Sequence, residues 1–251
     1  MIKNAFVTGG GTGIGKQIAL TLLENGYNVA VSFYSSSESV KEVLEYGKQL
    51  DKQVVAIKGD ISKTGEINRM FNEYKEKFDT LDLFVNNAGV TMKSEFLETT
   101  EELFDSICDV DYKGAFFCMQ AAARIMAEKK SGSIILISSN NATAHFADVS
   151  VYGSAKAAAT KLAGHIAIEL AKYNIRVNTI APGWTETGAA RLDAKADTYY
   201  KIPLQKWVQS KEIADAVLYL ASESAKSITG ATLVMDNGAL LVSDKRERYG
   251  F

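Results

Sequence analysis

Tyr152 and Lys156 stand four residues apart in VYGSAKAAAT, residues 151–160. On a helix, residues at that spacing share one face, one turn apart. A phenol is a poor acid near neutrality, with a reference pKa of about 10, and a fixed ammonium beside it favours the anion. A phenol assisted in this way can give up and recover a proton, which is general acid–base work. Tyr-x-x-x-Lys pairs also arise by chance on helix surfaces, so the rest of the chain has to supply a reason for this one.

A second stretch with chemical content is TGGGTGIG, Thr8 to Gly15, lying between an apolar run and a helical pattern. Glycines allow positive φ and close approach of backbone to a ligand. A helix N-terminus adds unpaired N–H groups and partial positive charge, which suit a pyrophosphate. Gly9, Gly13 and Gly15 in this strand–turn–helix setting point to a dinucleotide. A merely tight turn does not need so many glycines.

The end of the second apolar run reads VAVSFYSSSESV. A chain that prefers NAD would place Asp or Glu there, on the ribose 2′-hydroxyl. Here Phe33, Tyr34, Ser35 and Ser36 occupy the strand end, so NADP(H) is expected over NAD(H). No Arg or Lys stands there to neutralise a 2′-phosphate, and each serine taken singly also suits a surface turn or helix cap.

The elements that must position these groups alternate along the chain. AFVTGG, NVAVSF, QVVAIKGD, LDLFVNNAG, SIILISS, IRVNTIAPG and ATLVMDNG read as seven strands. They are short, continuous and rich in Val and Ile, as strands buried on both faces of a parallel sheet are. Between them run helical stripes: Ile14, Ile18 and Leu22; Ile67, Met70, Phe71, Tyr74 and Phe78; Ala155, Ala159, Leu162, Ile166 and Leu170. The alternation predicts an α/β fold, a doubly wound parallel sheet of about seven strands with helices on both faces, with ligands at the carboxyl ends of the strands. The 251 residues are expected to form one such domain, with a substrate loop at about 184–210.

Bulk properties exclude several function classes. Hydrophobic residues make up 47% and charged residues 23%, with a formal net charge of −2, so no basic field invites nucleic acid. Two cysteines, Cys108 and Cys118, and two histidines, His145 and His165, show no metal-ligand spacing, and no metal is expected. Free thiols, no secretory leader and no apolar run of about 20 residues point to a cytoplasmic protein that does not span a membrane.

TGGGTGIG, NNAG at 86–89, a serine after the fifth strand, YGSAK and the Pro182–Gly183 pair stand in one order. Together they resemble the short-chain dehydrogenase/reductase family, from about Lys3 to Gly238. The resemblance implies Ser139, Tyr152 and Lys156 as catalytic Ser, Tyr and Lys: Ser139 holds a carbonyl oxygen, Tyr152 exchanges its proton, and Lys156 assists Tyr152 and binds the nicotinamide ribose. As cofactor contacts it implies Gly9, Gly11, Thr12, Gly13, Ile14 and Gly15 of the loop, and Phe33, Tyr34, Ser35 and Ser36 beside it. It adds Asp60 and Ile61 near the adenine, Asn87, Ala88 and Gly89 against the cofactor, and Pro182, Gly183, Thr185 and Thr187 near the carboxamide. Asp60 can equally cap the next helix.

One position departs from that pattern. DYKG, residues 111–114, carries Asp111 where the family usually has an asparagine in a proton relay to the lysine. Asp111 is kept as a candidate fourth catalytic residue. An ionised Asp111 near Lys156 would offset the ammonium charge; otherwise Asp111 is only a helix residue.

The resemblance implies hydride transfer between NADP(H) and a carbonyl or alcohol substrate, small or carried by an acyl carrier. Residues 202–222, IPLQKWVQSKEIADAVLYLAS, are similar to a stretch shared by 3-oxoacyl-(acyl-carrier-protein) reductases and sugar dehydrogenases. The alternatives are oxidation of a sugar or other secondary alcohol, and a non-catalytic nucleotide sensor or scaffold. His145, Phe146 and Trp184 are candidates for substrate contact. The resemblance also implies a homo-oligomer, a tetramer or dimer.

Overall fold

A computed structural model describes residues 3–188 and 202–241. The main sheet has seven strands, all parallel, in the order β3-β2-β1-β4-β5-β6-β9. They are β1 (Asn4–Val7), β2 (Asn28–Phe33), β3 (Val54–Lys58), β4 (Leu83–Asn86), β5 (Gly132–Ile137), β6 (Ile175–Pro182) and β9 (Thr232–Met235). Each expected strand is present, and several end earlier than their apolar runs. NNAG, for example, leaves the sheet after Asn86.

The continuous apolar runs have a direct cause. Alternate side chains of a strand point to opposite faces, and here both faces are covered. Ala5 and Val7 of β1, Leu83 and Val85 of β4, and Ile135 and Ile137 of β5 belong to one core. Phe6, Phe84, Ile134 and Leu136 belong to the other. In that second core Phe6 stacks on Tyr74 at 5.3 Å and meets Phe71 at 5.1 Å.

The helices are α1 (Gly13–Glu24), α2 (Lys41–Gln49), α3 (Thr64–Lys77), α4 (Glu101–Cys108), α5 (Ala115–Lys129), α6 (Ser150–Leu170) and α7 (Ser210–Ala221). Asp109–Gly114 form a π-helical turn that joins α4 to α5. The α6 stripe differs from the expected one. Its buried line is Ala155, Ala159, Ala163 and Ala167, while Leu162, Ile166 and Leu170 are only partly buried. Spacing by four places these small residues on one face, where the missing bulk lets the helix lie close to its neighbours.

A two-stranded parallel ladder, β7 (Thr185–Glu186) with β8 (Val208–Gln209), was not evident in the sequence. It ties together the two ends of the expected substrate loop, of which residues 189–201 lie outside the described residues. Ile168 on α6 is 78% exposed, and Leu233 and Val234 of β9 stay partly exposed. Among the described residues, no helix is long and apolar enough to cross a membrane.

Candidate active site

The strand order reverses between β1 and β4, and a cleft of about 900 Å³ opens at their carboxyl ends. That is where open α/β sheets bind ligands. Thr8, fully buried after β1, locks the two strand ends together. Its hydroxyl accepts the backbone N–H groups of Asn87 (3.0 Å) and Ala88 (3.1 Å). The Asn87 amide donates back to the carbonyls of Thr8 (3.0 Å) and Gly9 (3.2 Å).

The glycine loop is shaped for close approach. Gly9 and Gly13 have φ of +63° and +52°, the left-handed region that favours glycine. A Cβ on Gly15 would lie 2.2 Å from the Gly9 carbonyl oxygen, so only glycine permits this turn. Across the cleft, Thr187 carbons stand 3.5 Å from the place a Gly13 Cβ would take.

The expected cofactor contacts divide into two groups. Gly9, Gly11, Thr12, Gly13, Ile14, Gly15, Phe33, Tyr34, Ser35, Asp60, Ile61, Asn87, Ala88, Gly89 and Thr187 all line the cleft. Tyr152 and Lys156, also expected to touch the cofactor, are not among the lining residues, Lys156 standing behind Gly89, and the rest have local duties. Ser36 accepts the Glu38 N–H as a helix cap. Pro182 ends β6, the Gly183 N–H donates to Met235, and the Thr185 hydroxyl donates to the Gly183 carbonyl. Asp60 does two things at once: it lines the cleft, and its carboxylate accepts the Ser62 hydroxyl (2.7 Å) and N–H (3.0 Å). Burial pushes the Asp60 carboxyl up, but the Ser62 bonds and Lys63 outweigh it and hold the group below the ordinary aspartate value.

Gly89 links this cleft to the expected catalytic residues. A Cβ there would meet Asp111 Oδ1 at 2.6 Å and Lys156 Nζ at 2.9 Å. Lys156 is buried on α6, and its ammonium lies 5.7 Å from the ring centroid of Tyr152 one turn earlier. Asp111 pairs with it, Oδ1 to Nζ, at 3.3 Å. Ser139 follows β5 and is buried. Its neighbour Ser138 bonds Thr160 at 2.6 Å and reaches the Lys156 carbonyl, a structural duty.

Sequence reasoning misses Thr8 as a lock and Asn141 as the partner of Ser139. The Asn141 N–H (3.1 Å) and its side-chain amide (3.2 Å) both donate to the Ser139 oxygen. A hydroxyl has two acceptor lone pairs, so both are occupied and the Ser139 hydrogen is left to donate. Nothing about an asparagine two residues on marks it for this duty. Phe146 and Trp184 form a T-shaped pair at 5.7 Å, and His145 is exposed.

A family model described as enoyl-(acyl carrier protein) reductase matches residues 9–239. The chain is 37% identical to the 3-oxoacyl-[acyl-carrier-protein] reductase FabG of Staphylococcus aureus over 241 residues, which cover 95% of this chain and 98% of that one. It is 38% identical to the L-rhamnose-1-dehydrogenase of Scheffersomyces stipitis, covering 94% and 95% of the two. The crystal structure of acetoin dehydrogenase YohF from Salmonella typhimurium superposes with a TM-score of 0.88 at 31% identity, covering 100% of this chain and 99% of that one. Sheet, glycine cradle and relatives together define an NAD(P)-dependent oxidoreductase acting on CH–OH or C=O groups. The chain belongs to the short-chain dehydrogenase/reductase family.

Proposed function

We propose that the protein reduces a carbonyl substrate with NADPH, a 3-oxoacyl thioester on an acyl carrier being the first candidate, and that Tyr152 supplies the proton. The observation that carries this reading is the Tyr152–Lys156 pair set behind Gly89, which itself lines the dinucleotide cleft. The cradle fits a pyrophosphate, because it leaves no room for a Cβ at Gly15 and turns through positive φ at Gly9 and Gly13.

When bound, the dinucleotide supplies or accepts a hydride. Negative charge then builds on the substrate oxygen, which needs hydrogen bonds and a proton. Ser139 donates its hydroxyl hydrogen to that oxygen, since Asn141 fills both of its lone pairs. Tyr152 gives its proton to the same oxygen in reduction and takes it back in oxidation. Lys156 favours the phenolate left behind. An assay of NADPH oxidation with β-ketoesters, diketones and quinones tests the reading; binding without any turnover would make the protein a sensor. Oxidation of a sugar or other secondary alcohol is the second reading, favoured by the 38% identity to L-rhamnose-1-dehydrogenase.

The cofactor is NADP(H) in this reading. Ser35 lines the cleft and has no hydrogen-bond partner among the described residues, so its hydroxyl is open to a 2′-phosphate. The nearby acids are held by lysines: Glu38 by Lys41 and Glu42 by Lys16. KM is therefore expected to be lower for NADPH than for NADH. A lower KM for NADH contradicts the assignment.

Asn141 gives a sharper prediction. Asn141→Asp leaves an acceptor where the amide donates, so the Ser139 hydrogen turns toward the new carboxylate. We expect kcat to fall about 10- to 100-fold, the scale of one misdirected hydrogen bond to a developing charge. Asn141→Ala, which leaves the hydroxyl free to rotate, should lose less. Equal losses in steady-state kcat for the two variants would remove Asn141 from this role.

A further inference from the structure

Among the described residues, Asp111 is the one acidic side chain placed against Lys156, and it is fully buried. Its carboxylate has 0% side-chain exposure, and that of Lys156 is 7%. Oδ1 lies 3.3 Å from the ammonium and accepts the Val90 N–H at 3.1 Å. Oδ2 is buried and has no hydrogen-bond partner among the described residues. The π-helical turn over Asp109–Gly114 brings the residue there, because a wider turn inserts one residue and re-aims the side chains around it.

We infer that Asp111 is a positioning residue acting through Lys156: its buried carboxylate screens the ammonium, so that the help Lys156 gives the Tyr152 phenolate depends on whether one carboxyl is ionised. This rests on the reading of Tyr152 as the acid–base group. With Asp111 ionised the pair is close to neutral, and the phenolate gains little from it. With Asp111 protonated, the lysine charge is unscreened. Burial pushes the Asp111 carboxyl up, while Lys156 and the Val90 amide pull it down, and burial wins.

The other charged and titratable groups around Asp111 do not substitute for it. From α6 it faces Lys156, whose ammonium in turn lies 5.7 Å from the Tyr152 ring centroid. At the end of α4, burial and then Asp105, Asp109 and Asp111 push up the Cys108 thiol. On the turn itself Asp109 pairs with Lys113 at 3.0 Å, both well exposed. On α5, Cys118 is a buried thiol that burial alone pushes up to about 12. The loop after β3, whose Ile61 carbonyl packs on Gly114, carries the Asp60–Lys63 pair at 3.5 Å. The turn after β4 presents the Val90 amide and Gly89.

Asp111→Asn tests this, since it keeps the shape and an acceptor for the Val90 amide but removes the charge. Removing an anion from beside Lys156 favours the phenolate. In alcohol oxidation, which needs the phenolate, the acidic limb of the pH–rate profile should move to lower pH by about one unit. On that limb, rates at fixed pH then rise by up to about tenfold. In reduction, which needs the phenol, the alkaline limb should move the same way.

The ultraviolet absorbance of tyrosinate, titrated without cofactor or substrate and with Tyr152→Phe as background, reads the same shift independently of turnover. Asp111→Ala must move it in the same direction, which covers a failure of the asparagine variant to fold. A tyrosinate titration that both variants leave in place overturns the inference. Full turnover by Tyr152→Phe would instead overturn the catalytic reading while leaving the spectroscopic coupling measurable.

Discussion

Tyr152→Phe lowers kcat by at least about 10²-fold, the lower usual share of a positioned acid–base group. The substitution removes one hydroxyl and leaves the ring. The ring is half-buried on α6, with the Lys156 ammonium 5.7 Å from its centroid, and phenylalanine preserves that packing and that contact. The fold and the dinucleotide cleft are therefore retained, and the loss falls on the chemical step. Ser139 and the cradle stay in place and still bind, so residual turnover above the uncatalysed rate is expected. Measuring kcat together with dinucleotide affinity separates these effects. A fall in affinity with kcat preserved, or no change in either, would take the proton-transfer role away from Tyr152.

The same chemistry shows what the sequence reveals and what it hides. Local spacing is visible: Tyr152 and Lys156 share a helix face because they are four apart, and the structure puts them one turn from each other. Strands buried on both faces are visible as unbroken Val and Ile runs. Contacts across the fold are not. Asp111 is separated from Lys156 by 45 positions, and a sequence shows the unusual acid without showing what it touches. The π-helical turn that aims it inward has no spacing signature of its own. The α6 stripe is legible in part for a related reason: Leu162, Ile166 and Leu170 do pack against the core, but close packing continues the fully buried line from Ala155 and Ala159 through Ala163 and Ala167, which size alone does not suggest. The β7–β8 ladder is two residues long on each side, too short for any alternation to register.

Gly15→Ala is the second large effect, and it tests the cradle rather than the proton. The added Cβ would stand 2.2 Å from the Gly9 carbonyl oxygen and 2.4 Å from the Asn87 amide nitrogen. Neither can give way freely. The oxygen is backbone, in a loop already turned through positive φ at Gly9, and the amide is held by the carbonyls of Thr8 and Gly9. The loop must shift, and the N–H groups at the start of α1 lose their aim at a pyrophosphate. Overpacking of this kind costs about 1–3 kcal/mol, seen as a drop of several degrees in Tm. Losing one charge-assisted hydrogen bond raises the dinucleotide Kd about 10- to 100-fold. Gly65→Ala is the matched control, because it lies at the start of α3 with nothing within 4 Å of its Cβ position, and should change neither quantity. Fluorescence titration with NADPH reads the affinity of both variants. If Gly15→Ala binds as tightly as the native chain, the dinucleotide is held somewhere other than this loop, and Tyr152 has no hydride to answer.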